Sequence, residues 1–291
     1  MIYNMIRKLN LACFYVKNKT KMKHMREPNI IGVDVGGSKI HIGLYESRHL
    51  KLLKERKVLT KARRGLMAVL DDVAELILEF CNSGTAAVGM CVPGYIDSVS
   101  TILYRTPNIP SRGPVNLRGY FKKKLKLPML FDNDAKLFTY AEYELKWKGK
   151  ISHLVGLTLG TGLGCGIVID GKLYRGRNGF AGEFGHTAMG LNKELEDFVS
   201  GKGRKGELGK YLGIAISDII NIFNPQAIVL GGSVSRDFKS VEKEVWLEIR
   251  RRNIPESYKN LPVYVSKLRN GSTIGTVLLA RKKFLDRISR M

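Results

Sequence analysis

Ile30-Ile31-Gly32-Val33-Asp34-Val35-Gly36-Gly37-Ser38-Lys39-Ile40 carries an apolar run into a glycine pair and out into a second run, Ile40–Glu46. Leu157-Thr158-Leu159-Gly160-Thr161-Gly162-Leu163-Gly164 repeats the plan in the second half of the chain. Apolar, β-branched runs bounded by glycine read as strands, so each half opens on two strands around a glycine-rich turn. Glycines let backbone N–H groups close on phosphate oxygens, and a neighbouring carboxylate can hold Mg2+ through water. Taken singly, either turn serves equally well as a plain hairpin. Taken together they predict duplicated α/β domains facing each other over a cleft.

Outward from the first turn, Leu52–Thr60 reads as a third strand, and Leu66, Val69, Leu70, Val73, Leu76, Ile77 and Phe80 follow helical spacing. Ala86–Val92 is a buried-strand run that stops at Pro93-Gly94, and residues 105–119 read as a loop rich in Pro, Gly and Arg. Leu127–Phe131 is a strand ending at Asp132-Asn133-Asp134, with a helix over Ala135–Trp147. Outward from the second turn, His153–Leu159 and Gly164–Asp170 are strands, followed by a long loop from Gly171 to His186. Helices are predicted over Leu195–Ser200, Leu208–Phe223, 238–252 and Ile274–Leu285. Ala227–Leu230 is a strand entering Gly231-Gly232, and Val263–Ser266 is the last strand. Alternating strands and helices give an α/β class. The predicted division is a basic arm over 1–29, a small domain over 30–133 with a C-terminal helix at about 271–291 packing back on it, and a large domain over 134–270.

Apolar residues make up 44% of the 291 and charged residues 26%, enough for a sizeable core under a solvated surface. No stretch approaches the roughly 20 apolar residues that span a bilayer. Cys13, Cys81, Cys91 and Cys165 lie far apart without CxxC spacing, which reads as reduced thiols in a cytoplasm. Of the net charge of +23, the arm carries only six: seven Lys and Arg against Glu27. The remainder is spread along the chain. Such a field attracts polyanions, and it serves equally as a solubility trait. Leu9–Val16 is too short and interrupted for a secretory segment. A basic arm, or an initiator at Met22 or Met25, is expected instead.

Leu230-Gly231-Gly232-Ser233 adds a third glycine turn, shaped for a flat ring or ribose or for a tight bend; no GxxxxGK[ST] loop occurs. Two phosphate-type turns and a late glycine pair resemble the actin-like ATPase pattern, two ribonuclease H-like domains around a cleft. Gly160–Gly166, Asp170-Gly171, Gly182-Glu183-Phe184-Gly185-His186, Leu195-Glu196 and Ser200-Gly201 together resemble the ROK family of repressors and sugar kinases, over about residues 30–285.

That resemblance implies an ATP-dependent sugar kinase requiring Mg2+. It makes Asp134 the catalytic base, with Asn108, Asn133, Glu183, His186 and Glu196 on the sugar. It puts Asp34, Gly36, Gly37, Ser38, Lys39, Gly160, Thr161, Gly162, Gly231 and Gly232 on the nucleotide, with Asp34 holding Mg2+ through water. Carboxylates and amides suit a polyol because they donate and accept in fixed directions. Plainer readings stand beside these. Asp134 would cap the helix that follows, Asn108 would fill a turn, Glu183 and His186 would pair, and Glu196 would favour a helix start.

One departure stands out. Family members commonly carry a cysteine-rich zinc loop after GExGH, with its histidine as fourth ligand. Here Thr187–Glu194 contains no cysteine, so no tetrahedral zinc site is expected and His186 must be positioned another way. The loss resembles some N-acetylmannosamine kinases, and no aromatic follows Asn108 as in many glucokinases. N-acetylmannosamine is therefore the expected acceptor, phosphorylated at its 6-hydroxyl, with glucose next. The resemblance also implies a homodimer. A sugar-responsive repressor is the rival, but residues 1–29 are short for a helix-turn-helix domain and Asp134 is present, so nucleic acid is not an expected partner.

Overall fold

The first glycine turn leaves β1 (Asn29–Val35), a strand without alternation. Ile31, Val33 and Val35 join the core beneath α1 (Leu66–Phe80), while Ile30 packs with Val277 and Ala280 of α8 (Gly271–Phe284). A strand covered on both faces by helices has to be apolar throughout, which explains the Ile-Val run. The computed structural model describes residues 27–201 and 206–286. Most of the basic arm therefore lies outside the described residues, as does Cys13.

The chain divides into two compact units, Met1–Leu137 with Ser272–Met291, and Phe138–Gly271. In the first, β2 (Lys39–Glu46) pairs antiparallel with β1, and β3 (Leu52–Leu59) with β2. β4 (Thr85–Val92) and β8 (Met129–Asn133) add in parallel, giving the order β3-β2-β1-β4-β8. α1 buries Leu66, Val69, Leu70, Val73, Leu76, Ile77 and Phe80, the residues whose spacing predicted it. On the other side of the sheet, buried His41 of β2 joins two elements: Nδ1 lies 2.8 Å from Thr273 Oγ1 of α8 and Nε2 2.9 Å from Glu55 of β3.

The predicted loop over 105–119 is irregular over 106–114 and is corrected at its ends, because a small antiparallel sheet of β5 (Tyr95–Asp97), β6 (Ile102–Arg105) and β7 (Val115–Asn116) takes in Arg105 and Val115-Asn116. α2 (Leu117–Lys124) follows it. Asn116 starts that helix by accepting the Gly119 N–H at 2.8 Å, and only Leu117 and Phe121 are buried in it. Two buried residues among lysines leave almost no helical signal.

The second unit is a sheet of β9 (Leu154–Leu159), β10 (Leu163–Ile169), β11 (Lys172–Tyr174), β12 (Ala227–Gly231) and β13 (Val263–Val265), ordered β11-β10-β9-β12-β13. β11 corrects the predicted loop from Gly171. Asp170 (φ 50°) and Gly171 (φ 70°) form the two-residue connection, and positive φ at both positions is what a twisted hairpin turn needs. α5 (Leu208–Phe223) buries Leu212, Ala215, Ile216, Ile219 and Ile220, with Val245 and Ile249 of α6 (Phe238–Arg252) in the same core. Truncating a fully buried Ile such as Ile216 to Ala costs roughly 2–5 kcal/mol.

Between the sheets in sequence, α3 spans Asp134–Glu142 and ends in a π-turn over Tyr143–Trp147. α4 (Glu196–Val199) is shorter than predicted, and α7 (Pro255–Tyr258) is a single turn. Cys91 and Cys165 are buried, Cys81 is half-buried, and none of these three is in a disulfide. Among the described residues no helix is long and apolar enough to cross a membrane.

Candidate functional site

In an open α/β sheet, ligands bind beyond the carboxyl ends of the parallel strands. In the first unit those ends are Val35-Gly36 of β1, Val92-Pro93-Gly94 of β4 and Asn133-Asp134 of β8. Three predicted groups thus come together there. Gly36 N–H donates to Lys39 O at 2.9 Å and closes the turn. A Cβ on Gly37 would lie 2.6 Å from the Asn108 Cβ, so glycine is what lets exposed Asn108 sit against the turn. Asn133 Nδ2 donates to Gly94 O at 3.5 Å.

The capping role assigned above to Asp134 is shared, and Asn133 has the larger part. Asn133 Oδ1 accepts the N–H groups of Ala135 at 3.0 Å and Lys136 at 3.3 Å, while Asp134 Oδ1 accepts that of Ala135 at 2.8 Å. Burial holds the Asp134 carboxyl above the usual range, against the pull of the Ala135 N–H, its own N–H and the charge of Lys136. Asp34 is pushed up to about 6 by burial and then by the charge of Asp134, with a hydrogen bond from Cys91 and the charge of Lys57 acting the other way. Two enclosed carboxyls, with the charge of Asp134 raising Asp34, suit a proton-accepting role or a shared cation.

The sequence reading missed two residues here. Thr60, fully buried just past β3, donates its hydroxyl to Gly36 O at 2.7 Å and its N–H to Ser38 O at 3.0 Å, so it holds the turn from outside. The Cys91 thiol donates to Asp34 Oδ1 at 3.1 Å, and burial raises it well above the ordinary thiol range. Nothing local marks either one, since both positions are fixed by strand pairing.

In the second unit the carboxyl ends of β9 and β12 lie side by side, Gly231 in register with Thr158. Gly160 N–H donates to Gly162 O at 3.0 Å, and Gly160 O accepts the N–H of Gly201 at 2.7 Å. Glu196 Oε2 accepts the Leu163 N–H at 3.3 Å, and a Cβ on Gly162 would lie 2.7 Å from that oxygen. The Gly-Thr-Gly turn is therefore shaped around Glu196. Thr161 and Gly232 are exposed, and Gly232 (φ 86°) turns the chain over the Leu159 backbone.

His186 closes a single 3-10 turn over Phe184–His186, directly after half-buried Glu183. Its Nδ1 lies 2.7 Å from Glu194 Oε2, and that hydrogen bond, then the charges of Glu194, Glu196 and Glu183, raise the imidazole above its ordinary range against burial. Glu194 was not singled out in the sequence. His186, Glu194 and Glu196 bring one ligand atom each within 4.8 Å of one another. That set has no thiol, and exposed acidic groups often gather this way without an ion.

A family model described as ROK matches residues 30–208 and 205–283. The chain belongs to the ROK family. Its relatives in that family include both regulators and enzymes. It is 27% identical over 304 residues to a xylose repressor of Caldicellulosiruptor bescii, an alignment covering 84% of this chain and 76% of the repressor. It is 37% identical over 172 residues to a glucokinase of Thermotoga maritima, covering 58% of this chain and 53% of the glucokinase. The crystal structure of a ROK family glucokinase from Streptomyces griseus in complex with glucose and AMPPNP superimposes with a TM-score of 0.74 at 26% identity, over 87% of this chain and 99% of that one. The actin-like α/β fold expected from the two glycine turns is the fold of these ROK neighbours.

Proposed function

We propose that this ROK protein is an ATP-dependent kinase that phosphorylates the 6-hydroxyl of a hexose or N-acyl hexosamine, with N-acetylmannosamine the first acceptor to try and glucose the second. The observation that carries the reading is Asp134, a carboxyl of raised basicity at the end of β8 with Asn133 fixed beside it. A general base has to take the hydroxyl proton as the oxygen attacks the γ-phosphorus, and a carboxyl above its usual range does so better than an ordinary one. Asn108, Asn133, Glu183, His186 and Glu196 are assigned to the sugar hydroxyls. The turns at Asp34–Lys39, Gly160–Gly162 and Gly231-Gly232 are assigned to ATP. Likeness to a glucokinase solved with glucose and AMPPNP supports both assignments.

The residues present fit Mg2+, because the charge of Asp134 keeps that of enclosed Asp34 costly until a cation offsets it. Bound there, Mg2+ would neutralise charge on the β- and γ-phosphates. Zinc has no part in the proposal. The enzyme is proposed to act in the cytoplasm, as a homodimer.

A second reading, a sugar-responsive repressor, is favoured by the xylose repressor similarity over 84% of the chain. Xylose, a pentose, has no 6-hydroxyl, and that separates the two. A coupled ATP assay across hexoses, N-acyl hexosamines and xylose should show turnover with a hexose or hexosamine and none with xylose. Absence of turnover with every sugar, together with salt-sensitive, xylose-responsive DNA binding, would replace the kinase by the repressor.

A further inference from the structure

The interval Thr187–Leu195 folds as a short hairpin. Leu195 N–H donates to Thr187 O at 2.9 Å, Met189 N–H donates to Lys193 O at 2.8 Å, and Ala188 and Glu194 form an antiparallel bridge. This hairpin returns the chain beside His186, where Glu194 Oε2 meets Nδ1 at 2.7 Å. The Glu194 N–H in turn donates to Asp197 Oδ2 at 3.1 Å, which ties its backbone to the first turn of α4. A carboxylate only accepts, so Nδ1 carries the proton of the pair. The two side chains are 37% and 50% exposed, and an open ion pair of that kind adds little stability. What a carboxylate on Nδ1–H does fix is the plane and tautomer of the ring.

We infer that Glu194 is a positioning residue: it holds His186 by Nδ1–H, so that the ring addresses the substrate sugar through Nε2. The inference rests on the kinase reading. The charged groups acting on the imidazole are all acids, Glu183, Glu194 and Glu196. The strand packed against its turn, β10, contributes Cys165 as its one titratable side chain. Three acids around one imidazole favour the cation, and Glu194 is the one bonded to it. Glu194 also lies in the stretch that lacks thiols, so an ordinary hydrogen bond orients the histidine there.

The test uses the full chain with Glu194→Ala and Glu194→Gln. Nitrogen-15 spectra of labelled histidine, with His186→Asn identifying the His186 signals, report tautomer and titration, and steady-state kinetics report kcat and both KM values. In Glu194→Ala the Nδ1–H form should give way to a mixture and the imidazole should titrate lower. The sugar KM should rise about tenfold, with kcat and the ATP KM within about twofold. Gln can accept the same bond without charge, so Glu194→Gln should keep the tautomer and most of the sugar affinity while titrating lower. A wild-type tautomer and sugar KM in Glu194→Ala would overturn the inference. Failure of the kinase reading looks different: the wild type itself would phosphorylate no sugar, and the sugar role of the pair would fall with it.

Discussion

The two units share one plan and hold their polar residues by opposite means. In both, two antiparallel strands lead into a central strand that continues into two parallel ones, β3-β2-β1-β4-β8 and β11-β10-β9-β12-β13. Both first hairpins turn on glycine, and both put candidate residues beyond the carboxyl ends of parallel strands. In the first unit the carboxyls are enclosed, and desolvation is the largest cause of the rise at Asp34 and Asp134. In the second, His186 and Glu194 are open to solvent, and the shift of His186 comes mainly from its neighbours. Enclosure raises basicity, which proton transfer needs. An open cluster of mutually bonded donors and acceptors sets direction, which recognition of a polyol needs. On the proposed kinase reading, one duplicated frame would supply a proton acceptor in one copy and a recognition surface in the other.

That contrast breaks most sharply at Asp134. Asp134→Asn should lower kcat by about 10²–10⁴, the worth of a general base, while leaving the sugar KM and thermal midpoint near wild type. Full activity in this variant would remove the first unit's chemical role.

The second unit is tested at Gly162. Gly162→Val places atoms against the Glu196 carboxylate, and kcat/KM for the sugar should fall by about 10²-fold, the scale of an ångström-sized misplacement. The ATP KM should change less. The reverse split would mean that the turn serves phosphate alone.

A smaller effect is expected at Thr60, which holds the first turn from β3. Thr60→Val keeps the shape but loses the hydroxyl bond to Gly36 O. The ATP KM should rise about fivefold, one ordinary hydrogen bond. Thr60→Ser should restore it, and an unchanged KM in Thr60→Val would show that the turn holds itself.

The smallest effect is on stability. Because Asp34 is raised in the fold, the folded chain binds its proton more tightly than the unfolded chain. That stabilising preference is complete below the ordinary carboxylate range and is lost as the pH rises through about 6. Asp34→Asn removes the enclosed charge, so its thermal midpoint should exceed the wild type's at pH 7.5 by about 2–4 °C and by less at pH 5. Melting curves without ATP or Mg2+ check this, and a gap that does not widen with pH would contradict the enclosure.

The elements built on long apolar runs were legible in sequence: β1 as a continuous run, α1 and α5 by their spacing. β5, β6, β7 and α2 were not, because two- to four-residue strands exist only through their partners and α2 buries just Leu117 and Phe121. β11 carried a readable sign in Asp170-Gly171. The motif-bearing candidates were legible because their spacing is local and resembles a family. Thr60, Cys91 and Glu194 were not, since each gains its partner through strand pairing or a hairpin return. Asn133 was read as a sugar contact, and only the hydrogen bonds at the start of α3 reveal it also as the main cap.

The central claim is that this chain moves the γ-phosphate of ATP onto a sugar 6-hydroxyl. Phosphorus–proton correlation spectra of the product, formed from ATP, Mg2+ and the accepted sugar, test it most directly. The expected result is one phosphomonoester coupled to the two C6 protons, absent with Asp134→Asn over the same time. Release of inorganic phosphate alone, or a phosphate on any other carbon, would contradict the account.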